Sequence, residues 1–137
     1  MKIRSHPDGT LPDHADCDNI FVFGSNATGE HFGGAARVAH ELFGARWGHI
    51  SGFCGHSYAI ATMRLREEDP RAPKLKPQLE VFRTFVRHMP NQLFFLTRVG
   101  CGIACYPDRE VIRLLGPVMP NISYPDVWVP LIQEMFP

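Results

Sequence analysis

Two glycine-bearing runs hold the residue types best suited to grip an anion. The first is Gly24-Ser25-Asn26, continuing through Gly29 to Gly33-Gly34; the second is Gly100-Cys101-Gly102-Ile103-Ala104-Cys105. Glycine lets the backbone approach a ligand closely and adopt φ > 0. A helix N-terminus adds unpaired N–H groups and the positive end of the helix dipole. Two such loops facing each other clamp a diphosphate without any cationic side chain. Asn26 and His31 bring chemistry to the first loop: an amide able to orient a water, and an imidazole that titrates near neutral pH. His31, with Glu30 beside it, equally reads as an exposed residue at a helix start. Each loop taken alone reads as a plain strand-to-helix turn. Arg98 precedes the second loop, and its guanidinium either faces the ligand or pairs with a buried carboxylate. Phe32 and Tyr106 either stack on a base or ribose or fill the core. Gly100-x-Gly102 lacks the third glycine of the dinucleotide fingerprint, Cys105 standing in its place, and no GxxxxGK[ST] run occurs.

Apolar spacing defines the elements that must position these loops. Ile20-Phe21-Val22-Phe23 is a continuous apolar run, the pattern of a strand buried on both faces. Phe32, Ala35, Ala36, Ala39, Leu42 and Phe43 then share one helical stripe, closed by Gly44. Residues 45–56 read as a glycine-rich connection, 57–62 as a second core strand, and 64–76 as a charged, proline-rich surface loop. Pro77 suits the first position of a helix carrying Leu79, Phe82, Val86 and Met89. Residues 93–99 make the strongest strand in the chain. Pro107-Asp108 opens a helix through Val111, Ile112, Leu114 and Leu115, which Gly116-Pro117 stops. The last strand is either 121–125, followed by a C-terminal helix capped by Asp126, or 127–129. Residues 2–4 can form a short first strand. This alternation predicts a three-layer α/β/α domain with a mostly parallel sheet. In open sheets of that kind ligands bind outside the carboxyl ends of the strands, where both loops lie.

Composition narrows the ligand. Fourteen Lys and Arg balance fourteen Asp and Glu, for a formal net charge of zero. Tracking of a polyanion requires a basic excess, so strong generic nucleic-acid binding is not expected. The stretch 64–87 has seven positive and four negative residues, and reads as a solvated face. With 137 residues and 45% hydrophobic content, the chain suits one domain that buries about two-thirds of its surface. Residues 1–18 read as a polar N-terminal segment and 19–137 as a single domain. No apolar stretch approaches the about 18 residues of a membrane span, and no signal-peptide core precedes residue 19. The expected location is the cytoplasm. Four cysteines (Cys17, Cys54, Cys101, Cys105) read as reduced thiols, and Cys54 with His56 makes at most a weak metal site. The seven histidines are scattered, mostly as surface residues, and neither a metal nor a cofactor is expected.

The order of three motifs adds a resemblance. Phe21-Val22-Phe23-Gly24-Ser25-Asn26 with Gly33-Gly34-Ala35-Ala36 resembles the first ligand loop of macro domains. Gly55-x-Ser57-Tyr58-Ala59-Ile60-Ala61-Thr62 is similar to the family's next strand. Thr97-Arg98-Val99-Gly100-Cys101-Gly102-Ile103-Ala104 resembles its diphosphate-gripping loop. The run from Ile20 to about Pro125 is most similar to small macro-like proteins of phages and bacteria, which makes the chain a shortened macro-like domain. The resemblance implies binding of ADP-ribose or a related NAD-derived nucleotide, free or attached to a macromolecule. It assigns Asn26, Gly33 and Gly34 to the distal ribose. It assigns Gly100, Cys101, Gly102, Ile103 and Ala104 to the diphosphate, with Gly24, Ser25 and Arg98 alongside. Hydrolysis of an ADP-ribosyl linkage through Asn26 and His31 stays open beside pure sequestration of the nucleotide, or a protein-interaction role with no nucleotide. Phe23 stands where macro domains carry a first asparagine, and Asp16 and Asp18 precede the strand at its N-terminal end.

Overall fold

The apolar run at residues 20–23 becomes the middle of the sheet. A computed structural model of the chain describes residues 2–13, 18–26, 34–63, 74–100 and 106–137. Among these, the strands are β1 (Ser5–His6), β2 (Asn19–Asn26), β3 (Gly52–Cys54), β4 (Ser57–Met63), β5 (Leu93–Leu96) and β6 (Ile122–Pro125). The helices are α1 (Gly34–Leu42), α2 (Leu75–His88), α3 (Asp108–Leu115) and α4 (Val129–Met135), the last entered through a 3₁₀ turn at Asp126–Trp128. The strands make one sheet in the order β1-β6-β5-β2-β4-β3. Every pairing is parallel except β3 with β4.

Side chains alternate across the sheet and define two cores. Phe21, Phe23, Ala59 and Phe95 face α1, meeting Ala39 and Phe43. Ile20, Val22, Ile60, Phe94 and Leu96 face Leu79, Phe82 and Val86 of α2, Val111 and Ile112 of α3, and Ile132 of α4. The architecture is three layers, α/β/α. From β2 the chain crosses through α1 to β4 on one side; through α2 it then doubles back past β2 to β5, and through α3 it continues to β6. Parallel crossovers are almost always right-handed, so reversing the direction of travel moves the covering helix to the opposite face.

Several boundaries differ from those the sequence predicts. The first strand lies at Ser5–His6 rather than 2–4, where it joins β6 in parallel and so ties the polar N-terminal segment into the sheet. The connection 45–56 contains β3, which lends backbone partners to β4. Leu42, expected on the buried stripe of α1, is 40% exposed, while Ala39 is fully buried. Helix α2 starts two residues before Pro77. Proline is tolerated there because the first-turn N–H groups have no intrahelical acceptor. Strand β5 stops at Leu96, since Val99 N–H turns back to the Thr97 carbonyl at 2.7 Å. The last strand is Ile122–Pro125, and 127–129 belongs to the C-terminal helical turns that bury Trp128.

Two side chains fasten the helices of the larger core. Arg83 on α2 donates to the carbonyls of Leu115 and Pro117 at 2.7 and 2.8 Å, capping the end of α3. Buried Asn121 donates through Nδ2 to the carbonyls of Val86 and Met89 at 3.1 and 3.0 Å, capping the end of α2. Asn121→Ala leaves those buried acceptors without the amide. It is expected to cost about 1–3 kcal/mol of stability, read as a lower urea midpoint at unchanged m-value.

Candidate functional site

Strand β2 is where the order of connections reverses. Its crossover leads to β4 on one side, and the crossover from neighbouring β5 leads away to β6 on the other. The carboxyl ends of β2 and β5 are therefore the topological switch point, the place where open α/β sheets hold ligands. Gly24 sits at that end of β2. A Cβ there would lie 3.0 Å from Thr62 Oγ1 and 3.8 Å from Gly100 N. The bare glycine thus lets β2 come up against both the end of β4 and the loop after β5. The pairing of β2 with β4 slips between Ser25 and Asn26, where β4 carries Thr62 as an extra, unpaired residue.

Local hydrogen bonds shape both exits. Ser25 is buried and its hydroxyl donates to the Ile50 carbonyl, while Thr62 Oγ1 donates to the Ser25 carbonyl at 3.3 Å. Beyond the end of β3, Gln78 takes the place of a further strand: its amide accepts from Ala61 N–H at 2.7 Å and donates to Ala61 O at 2.9 Å. On the other side Thr97 Oγ1 donates to the Val22 carbonyl at 2.7 Å. The second loop begins at Gly100 with φ +79°, where an added Cβ would meet the Tyr106 ring at 3.0 Å. Tyr106 N–H donates to Gly100 O at 2.7 Å, so the loop returns to its own starting point.

Of the residues predicted to form the site, Gly24, Ser25 and Gly100 lie together at this edge. Asn26 is the last residue of β2, and Gly34, with φ +60°, is the first of α1. His31, Gly33, Cys101, Gly102, Ile103 and Ala104 lie outside the described residues, as do Glu30, Phe32 and Cys105. Tyr106 is partly buried against the larger core.

Arg98 takes up a carboxylate pairing. Its Nη2 donates to Asp108 Oδ1 and Oδ2 at 3.1 and 2.9 Å, and its Nη1 reaches Asp8 Oδ2 at 3.4 Å. Trp128 Nε1 donates to Asp108 Oδ1 at 2.7 Å, and Asp8 N–H donates to Asp126 Oδ1 at 3.1 Å. Asp108 is the first residue of α3, where a carboxylate also favours the helix dipole. One guanidinium thus ties the N-terminal segment, the end of β5 and the start of α3. No family model, curated protein or solved structure matches the chain.

Sequence reasoning missed His6. Its ring stacks on Phe95, with centroids 3.7 Å apart and planes at 20°. Nδ1 lies 2.7 Å from Ser123 Oγ, and the Leu96 carbonyl is a further hydrogen-bond partner. Burial pushes the imidazole below its ordinary pKa, against smaller upward effects of the Leu96 carbonyl and of Asp8 and Asp126. Beside it is a cavity of about 230 Å³, lined by His6, Asp8, Phe21, Val38, Phe95 and Thr97 among others. No periodicity marks His6; the only sequence sign was the Pro7-Asp8-Gly9 turn behind it.

Two outcomes follow from these contacts. Arg98→Leu leaves Asp108 without its cation. Because Arg98 and Asp108 are about one-third exposed, screening limits the cost to about 1 kcal/mol, smaller still in high salt, as chemical denaturation would measure. Since the folded state favours neutral His6, its contribution is complete above the ordinary histidine pKa and is lost as pH falls through the lowered value. Between about pH 7.5 and 5 the melting temperature should therefore fall more in the wild type than in His6→Phe.

Proposed function

We propose that the chain binds ADP-ribose or a related NAD-derived nucleotide, with its diphosphate held by the loops that follow β2 and β5. One observation carries this reading: a Cβ added at Gly24 would lie 3.0 Å from Thr62 Oγ1 and 3.8 Å from Gly100 N, so the ends of β2 and β4 and the loop after β5 converge at the carboxyl edge of the sheet. The two glycine-bearing runs, 76 residues apart in sequence at Gly24 and Gly100, thereby start at one edge of the sheet, which supports a shared ligand. Backbone N–H groups and helix N-termini recognise a diphosphate without a surplus of cationic side chains. This accords with zero net charge, and with Arg98 being held by Asp108 and Asp8. The motif order that resembles macro domains supplies the nucleotide class and assigns Asn26 to the distal ribose.

Isothermal titration with ADP-ribose tests the reading. Saturable one-to-one binding is expected, weakened by about tenfold or more in Gly24→Ala, whose new Cβ crowds Thr62 Oγ1 at 3.0 Å and adds a methyl in van der Waals contact with Gly100 N. The thermal melt of the variant, recorded alongside, separates crowding of the site from loss of fold. Absence of heat with any NAD-derived nucleotide at about millimolar concentration would overturn the proposal. Incubation with ADP-ribosylated protein separates sequestration from hydrolysis: turnover lost in Asn26→Ala with binding retained would make the chain a hydrolase.

A further inference from the structure

The two edges of the sheet are built differently. At one end β1 lies among Arg4, Pro7 and Asp8, and charges and proline are what keep a free strand edge from pairing with another chain. At the other end β3 has β4 as its only strand neighbour among the described residues. It carries none of those devices: residues 47–63 contain no Asp, Glu, Lys, Arg or Pro. Apolar side chains are exposed on both faces beside this edge. Phe53 is half exposed, and its ring lies 5.5 Å from that of Phe85 on α2. Val81, 63% exposed, stands one turn back on the same side of that helix. Toward α1, the half-exposed Trp47 meets His40 edge-on at 5.4 Å, and Cys54 Sγ donates to Gly44 O at 3.5 Å. A Cβ added at Gly52 would meet nothing within 4 Å.

We propose that this edge pairs with the same edge of a second copy of the chain. Strand β3 runs antiparallel to its counterpart about a two-fold axis, and the sheet continues from one protomer into the other. Charge favours a second copy as the occupant. The edge carries no charge and the whole chain has a net charge of zero, so two copies meet without the repulsion that keeps charged proteins apart. The strand also complements itself about its centre. Phe53 stands opposite its counterpart, and Gly52, which has no side chain, stands opposite the other copy's Cys54. Side chains alternate across the strand, with Phe53 toward α2 and Cys54 toward α1. The two Phe53 rings therefore meet on the α2 side as a cross-strand aromatic pair, flanked by Phe85 of each copy. Area sets the strength. A stable interface takes about 800 Å² from each partner, about a tenth of a small protein's surface. A three-residue strand, one helix face and the loop around Trp47 offer less, which places the dimer among reversible complexes. Strand β3 lies beside Ser57–Ala59, the amino-terminal part of β4 and away from the carboxyl edge, so the pairing does not rest on the nucleotide reading.

Sedimentation equilibrium of the full chain without nucleotide, from about 5 to about 500 µM, tests the pairing. The mass is expected to rise from that of one chain to that of two, half-complete at about 10–100 µM, and to stop there because a two-fold interface closes. Phe53→Lys sets like charges opposite each other, and Val81→Lys adds one beside them. Each should weaken association by about tenfold or more, since every change counts twice across the axis. Val127→Lys replaces a half-exposed valine next to β6, at the other end of the sheet, and should leave association unchanged. Thermal melts identify any variant that has lost its fold. If Phe53→Lys is one, Val81→Lys decides, because lysine is a better helix former than valine at an outward position. A chain that stays monomeric at about 500 µM overturns the proposal, whether or not a strand of another protein takes the edge. So does growth beyond two chains, or a dimer that the folded edge variants leave intact or that Val127→Lys breaks.

Discussion

The structure depends on burying β2 from all sides. Ile20, Phe21, Val22 and Phe23 are each no more than 2% exposed, and parallel strands flank them on both edges. A strand so enclosed needs helices over both faces of the sheet, and right-handed crossovers supply them only if the chain reverses direction at β2. That same reversal sets the topological switch point at the carboxyl edge, where open sheets hold ligands. Fold and candidate site are thus two consequences of one constraint. Magnitudes agree: truncating a buried phenylalanine costs about 3–5 kcal/mol, whereas the part-exposed Arg98–Asp108 pair contributes about 1. The strand core holds the domain together, and the ion pair sets the position of what surrounds it.

What surrounds it is the N-terminal segment. Residues 5–8 are polar and have no apolar face of their own, yet they pair with β6, stack on Phe95 and meet Arg98. They act as the missing part of the α1-side layer over β5. Beneath them lies an aromatic cavity roofed by a short strand and its turn.

Legibility in the sequence followed the physics of each element. Core elements have no alternative use for their side chains: the run at 20–23, the α2 stripe of Leu79, Phe82 and Val86, and the helix opened at Asp108 all stand where spacing placed them. Edge elements were harder. Strand β3 spans Gly52-Phe53-Cys54 with Phe53 half exposed, and it exists because β4 offers backbone partners rather than because of its own pattern. The choice between 121–125 and 127–129 rested on which segment reached the free edge of β5. At the strand exits, Gly24 and Gly100 were legible as turn residues, because each follows an apolar run that has to end. His6 was not, because a lone histidine in a polar segment carries no periodicity.

By itself the sequence determined the layer architecture, the central strand, and the two glycine-bearing exits, because burial on both faces and φ > 0 demand particular residue types. Only the tertiary structure decided that Gly24 and Gly100 adjoin, that Arg98 serves Asp108 and Asp8, and that His6 closes a cavity on Phe95. Those are contacts between residues 76, 10, 90 and 89 positions apart, in that order. No local pattern encodes such pairings: they follow from strand order and register, which come into being only when the whole sheet assembles.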